Sequence, residues 1–229
     1  MYKINYWDIE FSKLEQIDFQ GTKSRIYHDK YKCYKIFRDL SLYEKKVLLA
    51  KFNNMKKLNL NSVIVPQEFI MRGQELVGYT MHYFNNSSNL YDAFTKNRYI
   101  DVNKILSITK KLSIILRETH NKGVILQDFS FDNVLINNKG DIKICDIDGC
   151  CYGDIRSPYV SALIYNYYCV YKNSYPIFNE SLDNISLLLS MIVSIYHKNL
   201  YELFNNKNFK YISTEYFDTP YQDYIYNIT

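Results

Sequence analysis

Two carboxylates and one carboxamide in the middle of the chain stand at a telling spacing. Asp128 is followed five positions later by Asn133, and Asp146 closes an apolar stretch beyond a turn. The surrounding sequence is Val124-Ile125-Leu126-Gln127-Asp128-Phe129-Ser130-Phe131-Asp132-Asn133, and further on Lys143-Ile144-Cys145-Asp146-Ile147-Asp148-Gly149. Between them, Val134-Leu135-Ile136 and Ile142-Lys143-Ile144-Cys145, joined by Asn137-Asn138-Lys139-Gly140, predict a tight hairpin. This is what phosphoryl transfer from ATP needs: one carboxylate orients the attacking hydroxyl, while a carboxamide and a second carboxylate hold the magnesium ions that bridge the phosphates. Taken singly, Asp128 reads as a loop or cap carboxylate, Asn133 as a turn former and Asp146 as a strand-end residue. Joint order and spacing carry the chemistry.

The elements that must position these residues divide into a strand-rich front and a helical rear, an α+β chain. Leu14 to Asp18, Ser24 to Tyr27 and Lys32 to Phe37 predict three strands, rich in β-branched and aromatic residues. Ser41 can cap a helix whose Glu44 takes the capping-box position, and Val47, Leu48 and Lys51 to Met55 continue it. Pro66 forbids its extension, and Glu68 to Met71 and Leu76 to Met81 follow as a strand hairpin. In the rear, Asp101 caps an amphipathic helix carrying Ile105, Leu112 and Leu116 on one stripe, stopped by Gly123. Ile185 to Ile195 is apolar almost all round and belongs at the centre of a helical layer. The polar run Asn85-Asn86-Ser87-Ser88-Asn89 is expected to be the linker.

The spacing D-x-x-x-x-N and the second Asp beyond the hairpin resemble the protein kinase superfamily, over roughly residues 14 to 198. The resemblance implies a compact bacterial- or phage-type domain with a two-lobed protein-kinase-like fold. A five-stranded N-lobe with one helix would span residues 1–84, and a reduced helical C-lobe residues 85–229. It implies ATP- and magnesium-dependent transfer to a Ser or Thr hydroxyl of a protein, with Asp128 as base and Asn133 and Asp146 as metal ligands. Cys33-Tyr34-Lys35 looks like the V-A-I-K strand, so Lys35 would pair the α- and β-phosphates. Glu44 would hold that lysine from the helix, though nine residues is shorter than the family's separation. Gly21 would lie in the phosphate-covering loop, Met81 and Tyr83 in the hinge, where backbone groups contact adenine, and Asp183 would brace the catalytic loop from the buried helix.

Departures from the pattern matter as much. Leu126-Gln127-Asp128 stands for His-Arg-Asp, so the Arg that would read a phosphorylated activation loop is missing, and activation by loop phosphorylation is not expected. Ile147 replaces the Phe of D-F-G and Asp148 its Gly. Ser130 stands where many relatives aim a Lys at the γ-phosphate, and Gly21 is the only glycine between Leu14 and Tyr31. No A-P-E element is found. Ser161-Ala162-Leu163-Ile164 is the nearest, and the peptide-docking helices that would follow are expected to be missing.

The 229 residues carry 28 Lys and Arg against 24 Asp and Glu, and Lys45-Lys46, Lys56-Lys57 and Lys110-Lys111 are isolated pairs, so no nucleic-acid surface is expected. Neither a signal peptide nor a membrane span is legible, and five cysteines, an odd number whose only close pair is Cys150-Cys151, read as reduced thiols; a cytoplasmic protein is expected. Two rival readings stay open. One is a pseudokinase acting as a binding module; the other is a small-molecule kinase, against which the short stretch after Asn199 weighs.

Overall fold

Along Lys32–Phe37, Cys33 and Lys35 are buried while their neighbours are partly exposed, the period-two alternation of a strand with one covered face. The computed structural model describes residues 1–17, 23–95, 101–155, 164, 165, 167 and 179–196. Its front half is a mixed sheet of β1 (Tyr2–Asn5), β2 (Glu15–Ile17), β3 (Ser24–His28), β4 (Lys32–Phe37), β5 (Pro66–Arg72) and β6 (Glu75–His82), in the order β1-β5-β6-β4-β3-β2. Neighbours run antiparallel except β1, which lies parallel to β5 with Tyr2 opposite Glu68 and Asn5 opposite Met71. The sheet therefore has one strand more than the sequence predicts. β1 is only four residues long and mostly exposed, with Ile4 alone partly covered, so no alternation marks it.

Helix α1 (Leu42–Met55) crosses between β4 and β5. Its capping box is complete: the Glu44 amide donates to the Ser41 hydroxyl and the Ser41 amide to the Glu44 carboxylate. After it, the Ile64 amide donates to the Ile144 carbonyl at 2.7 Å and the Ile144 amide to the Ser62 carbonyl at 2.8 Å, tying this connection to the rear hairpin.

Behind the sheet come β7 (Ser87–Asn89), α2 (Leu90–Thr95), α3 (Val102–His120), β8 (Val124–Ile125), β9 (Val134–Asn137), β10 (Ile142–Ile144), β11 (Cys151–Tyr152) and α4 (Glu180–Tyr196). β9 and β10 form the predicted hairpin, with Gly140 at φ +81 in its turn. The expected linker is instead partly a strand. β7 pairs with the free edge of β9, Ser87 opposite Asn137 and Asn89 opposite Leu135, because an open edge offers backbone partners whatever the side chains' polarity. α3 buries Ile105, Ile108, Leu112 and Leu116, and α4 buries Leu187, Leu188, Leu189, Met191 and Ile192 on nearly every side. One continuous apolar cluster runs from Phe52 and Tyr79 through Leu116 and Val134 to Leu188.

Gly21, Leu163, Asn199 and the segment expected to serve as activation loop after residue 155 lie outside the described residues, apart from Ile164, Tyr165 and Tyr167. Among the described residues no helix is long and apolar enough to cross a membrane.

Candidate active site

The hairpin and the loop before it set Asp128, Asn133 and Asp146 through backbone geometry. Gln127 sits at φ +61 and Asp146 at φ +57, left-handed conformations that a non-glycine residue adopts only when its surroundings impose them. Asn133 Nδ2 donates to the Asp128 carbonyl at 2.8 Å, and the Cys145 amide donates to the Asn133 carbonyl at 2.9 Å. The loop carbonyl and the strand pairing thus fix Asn133 and bring Asp146 beside it. Because the Asn133 amide nitrogen is turned to Asp128, its Oδ1 faces the other way as an acceptor.

The same loop hangs from α4. Asp183, fully buried, accepts from the amides of Leu126 and Gln127, each at 2.8 Å. His120 Nε2 lies 2.8 Å from the same carboxylate and, facing an acceptor, donates to it. Ser186, one turn further along α4, donates its hydroxyl to the Phe129 carbonyl. Leu126 and Ile147, the two apolar replacements, are both buried in the common core.

Burial, then the charge of Asp146 and, more weakly, of Asp148, pushes the Asp128 carboxyl up to about 6; Lys35 and Lys23 oppose the rise. The three acids therefore share one field around Lys35. That lysine is only 4% exposed, with Nζ 2.5 Å from Asp146 Oδ1 and 2.6 Å from Asp148 Oδ2. Burial disfavours its charge, but Asp148 and then Asp146 more than offset this and hold the ammonium above its ordinary range. Tyr79 donates its hydroxyl to Asp148 Oδ1 at 2.7 Å, so both oxygens of that carboxylate are engaged.

Glu44 does not meet Lys35. It lies half-buried in the first turn of α1, with its carboxylate 2.7 Å from both the Ser41 amide and the Ser41 hydroxyl. The capping box that starts the helix holds it at that end. The α1 side chain that reaches the site is Lys51, 1% exposed, whose ammonium donates to the carbonyls of Asp148 at 2.5 Å and Cys150 at 2.8 Å.

A cavity of about 480 Å³ opens beside these groups, lined by Lys35, Met81 and Tyr83 from the front and by Asn133, Cys145 and Asp146 from the rear. At Tyr83 the amide is taken by the Tyr31 carbonyl at 2.9 Å, and the ring stacks on His28 with centroids 4.2 Å apart. Of the hinge backbone expected to contact a nucleotide, the Tyr83 amide is therefore already engaged, and Tyr83 also lines the cavity. Gly78 is a further determinant. A Cβ there would fall 2.2 Å from the Lys35 carbonyl, so only glycine lets β6 run against β4 at the lysine.

Among the described residues no three His, Cys, Asp or Glu side chains group as a metal cage. Asn133 and Asp146 nevertheless fit magnesium, which takes one or two carboxylate-type ligands and completes its shell with phosphate oxygens and water. Burial pushes the Cys33, Cys145 and Cys150 thiols up to about 12, so they pack as inert apolar groups.

Several of these residues escaped the reading of the sequence. Gly78 in a strand and Asp148 at a glycine position are visible signals; Lys51, in a run of helix formers, and His120 give none.

No protein-family model matches the chain. Over 108 residues, 47% of its length, it is 29% identical to the serine/threonine protein kinase ypkA of Aspergillus fumigatus, and it spans 16% of that protein. The chain is thus distantly and partly similar to a Ser/Thr protein kinase.

Proposed function

We propose that the chain is a phosphotransferase of the protein-kinase type, moving the γ-phosphoryl group of ATP, with magnesium, to a Ser or Thr hydroxyl of a protein. The observation that carries the reading is the convergence of Lys35, Asn133 and Asp146 on the wall of one cavity, with Asp128 close enough to feel the charges of Asp146 and Lys35. The partial likeness to a Ser/Thr kinase supports it. The front sheet with α1, residues 1–84, would form the nucleotide-covering lobe, and residues 85–229 the catalytic lobe.

Bound MgATP supplies an activated phosphoryl group whose charge the metal neutralises. Asp128 orients the hydroxyl and takes its proton, and an acid held near 6 ionises just below neutral pH, where a general base is most effective. Asn133 Oδ1 and Asp146 would hold the metal, and Lys35, already desolvated and cationic, would meet phosphate oxygens with little reorganisation.

The test is transfer from radiolabelled ATP to the chain itself or to a mixed protein substrate, with Asp128→Ala alongside. Loss of labelling by about 100-fold or more is expected, the usual weight of a general base. Equal labelling by the variant would remove the assignment. Magnesium-dependent ATP binding with no transfer by the unmodified chain would favour the binding-module reading.

A further inference from the structure

We propose that Asp148, rather than any acid on α1, is the positioning residue for Lys35, and that Lys51 of α1 secures it by gripping the backbone of the same loop. The acid that aims the lysine then comes from the metal-side loop, and the helix contributes a cation that holds the backbone of that loop.

Lys35 and Asp148 lie 2.6 Å apart, and the second Asp148 oxygen is fixed by Tyr79. Asp148 is thereby held rigidly enough to set the lysine. The buried Lys51 ammonium needs acceptors, and it finds the carbonyls of Asp148 and Cys150, the first belonging to the residue that pairs Lys35. A buried acid at position 51 would meet only carbonyl oxygens and no donor, so the helix position takes a cation while the loop supplies the acid. Since Asp146 and Asp148 both hold Lys35, the lysine and the metal carboxylate are tied together, and α1 reaches them through Lys51 and through Phe52, whose ring packs edge-on against Tyr79.

The consequence for nucleotide rests on the phosphotransferase reading; the pairing itself does not, so two measurements separate them. In thermal unfolding of the full chain, Lys35→Met combined with Asp148→Asn is expected to cost clearly less than the sum of the single variants, as for partners in one buried pair. Lys35→Met with Glu44→Gln is expected to be additive. Additivity with Asp148, or coupling to Glu44, would overturn the proposal.

In fluorescence titration with mant-ATP and magnesium, Asp148→Asn is expected to weaken binding about 10- to 100-fold, the usual cost of losing a group that orients a ligand-binding one. Asp148→Glu should restore part of it, and unchanged affinity in Asp148→Asn would count against the assignment. Should Asp148→Asn fail to fold, Tyr79→Phe removes one hydrogen bond to Asp148 and is expected to weaken mant-ATP by about 2- to 10-fold; no change there would overturn the proposal equally. An unmodified chain that does not bind mant-ATP would sink the nucleotide reading, while the unfolding cycle would still decide the pairing.

Discussion

Two acids brace this site from opposite ends, Asp183 fully buried and Asp148 partly so, and they are satisfied in different ways. Asp183, behind the loop that carries Asp128, is held by two backbone amides and a histidine. Asp148, in front of it, is held by an ammonium and a phenol. A brace made to backbone is indifferent to the side chains of the loop it supports, so Leu126 and Gln127 stand on the braced amides without their side chains taking part. A brace made to side chains has no such tolerance. Its partners must change together: the acid stands on the loop, its lysine on β4 and its phenol on β6.

The sharpest way to break this contrast is at the rear. Asp183→Ala strands two buried amides and His120, and should cost about 3–5 kcal/mol, the range for removing one partner of a buried charged network. Urea denaturation measures it. A cost below about 1 kcal/mol would mean that the loop is held by something else.

At the front, Gly78→Ala forces a Cβ against the Lys35 carbonyl and should cost about 1–3 kcal/mol, as overpacking does. It should also weaken mant-ATP through the displaced lysine. A stability loss with unchanged nucleotide affinity would separate the strand contact from the lysine's placement.

A smaller effect, of opposite sign, is expected at Asp128, which lies between the two braces. Its folded pKa, about 6, is raised above the ordinary 3.8, so between these values the native state binds the proton more tightly than the unfolded chain. Stability therefore falls as pH rises through that window, and the ionised carboxylate carries its full cost above about pH 6. Asp128→Asn should be more stable than the unmodified chain by about 1–2 kcal/mol at pH 8, the difference fading as pH falls toward 4. Denaturation at the two pH values checks this. The same ionisation should give kcat/KM an acid limb, with activity lost as pH falls through about 6.

The smallest effect belongs to Glu44. Glu44→Ala opens one side of a capping box at an exposed helix start and should cost about 0.5–1 kcal/mol in the same unfolding assay. It should leave mant-ATP affinity within about twofold, since its carboxylate bonds Ser41 and not Lys35.

The ends of the contrast were not equally legible in the sequence. The hairpin, α1, α3 and α4 follow from periodicity and capping residues, and the place of Asp128, Asn133 and Asp146 around the hairpin follows from spacing. Glu44 shows why spacing fails at the front: its residue type satisfies both a helix-borne counter-ion and a capping box, and only the position of the first turn separates them. Lys51 is a good helix former with a long apolar stem, so its pattern matches a solvated lysine until burial is known. β1 and β7 were illegible for a common reason. Both are short, and their pairing depends on an edge formed by residues far along the chain, Glu68 to Met71 in one case and Leu135 to Asn137 in the other.

The most direct measurement is a crystal structure with a non-hydrolysable ATP analogue and manganese in place of magnesium, located by its anomalous signal. The expected result is a cation coordinated by Asn133 Oδ1 and the Asp146 carboxylate at about 2.1–2.2 Å, with the phosphates against Lys35 and Lys35 still paired to Asp148. A nucleotide bound elsewhere, or a cation that touches neither Asn133 nor Asp146, would contradict the phosphotransferase assignment.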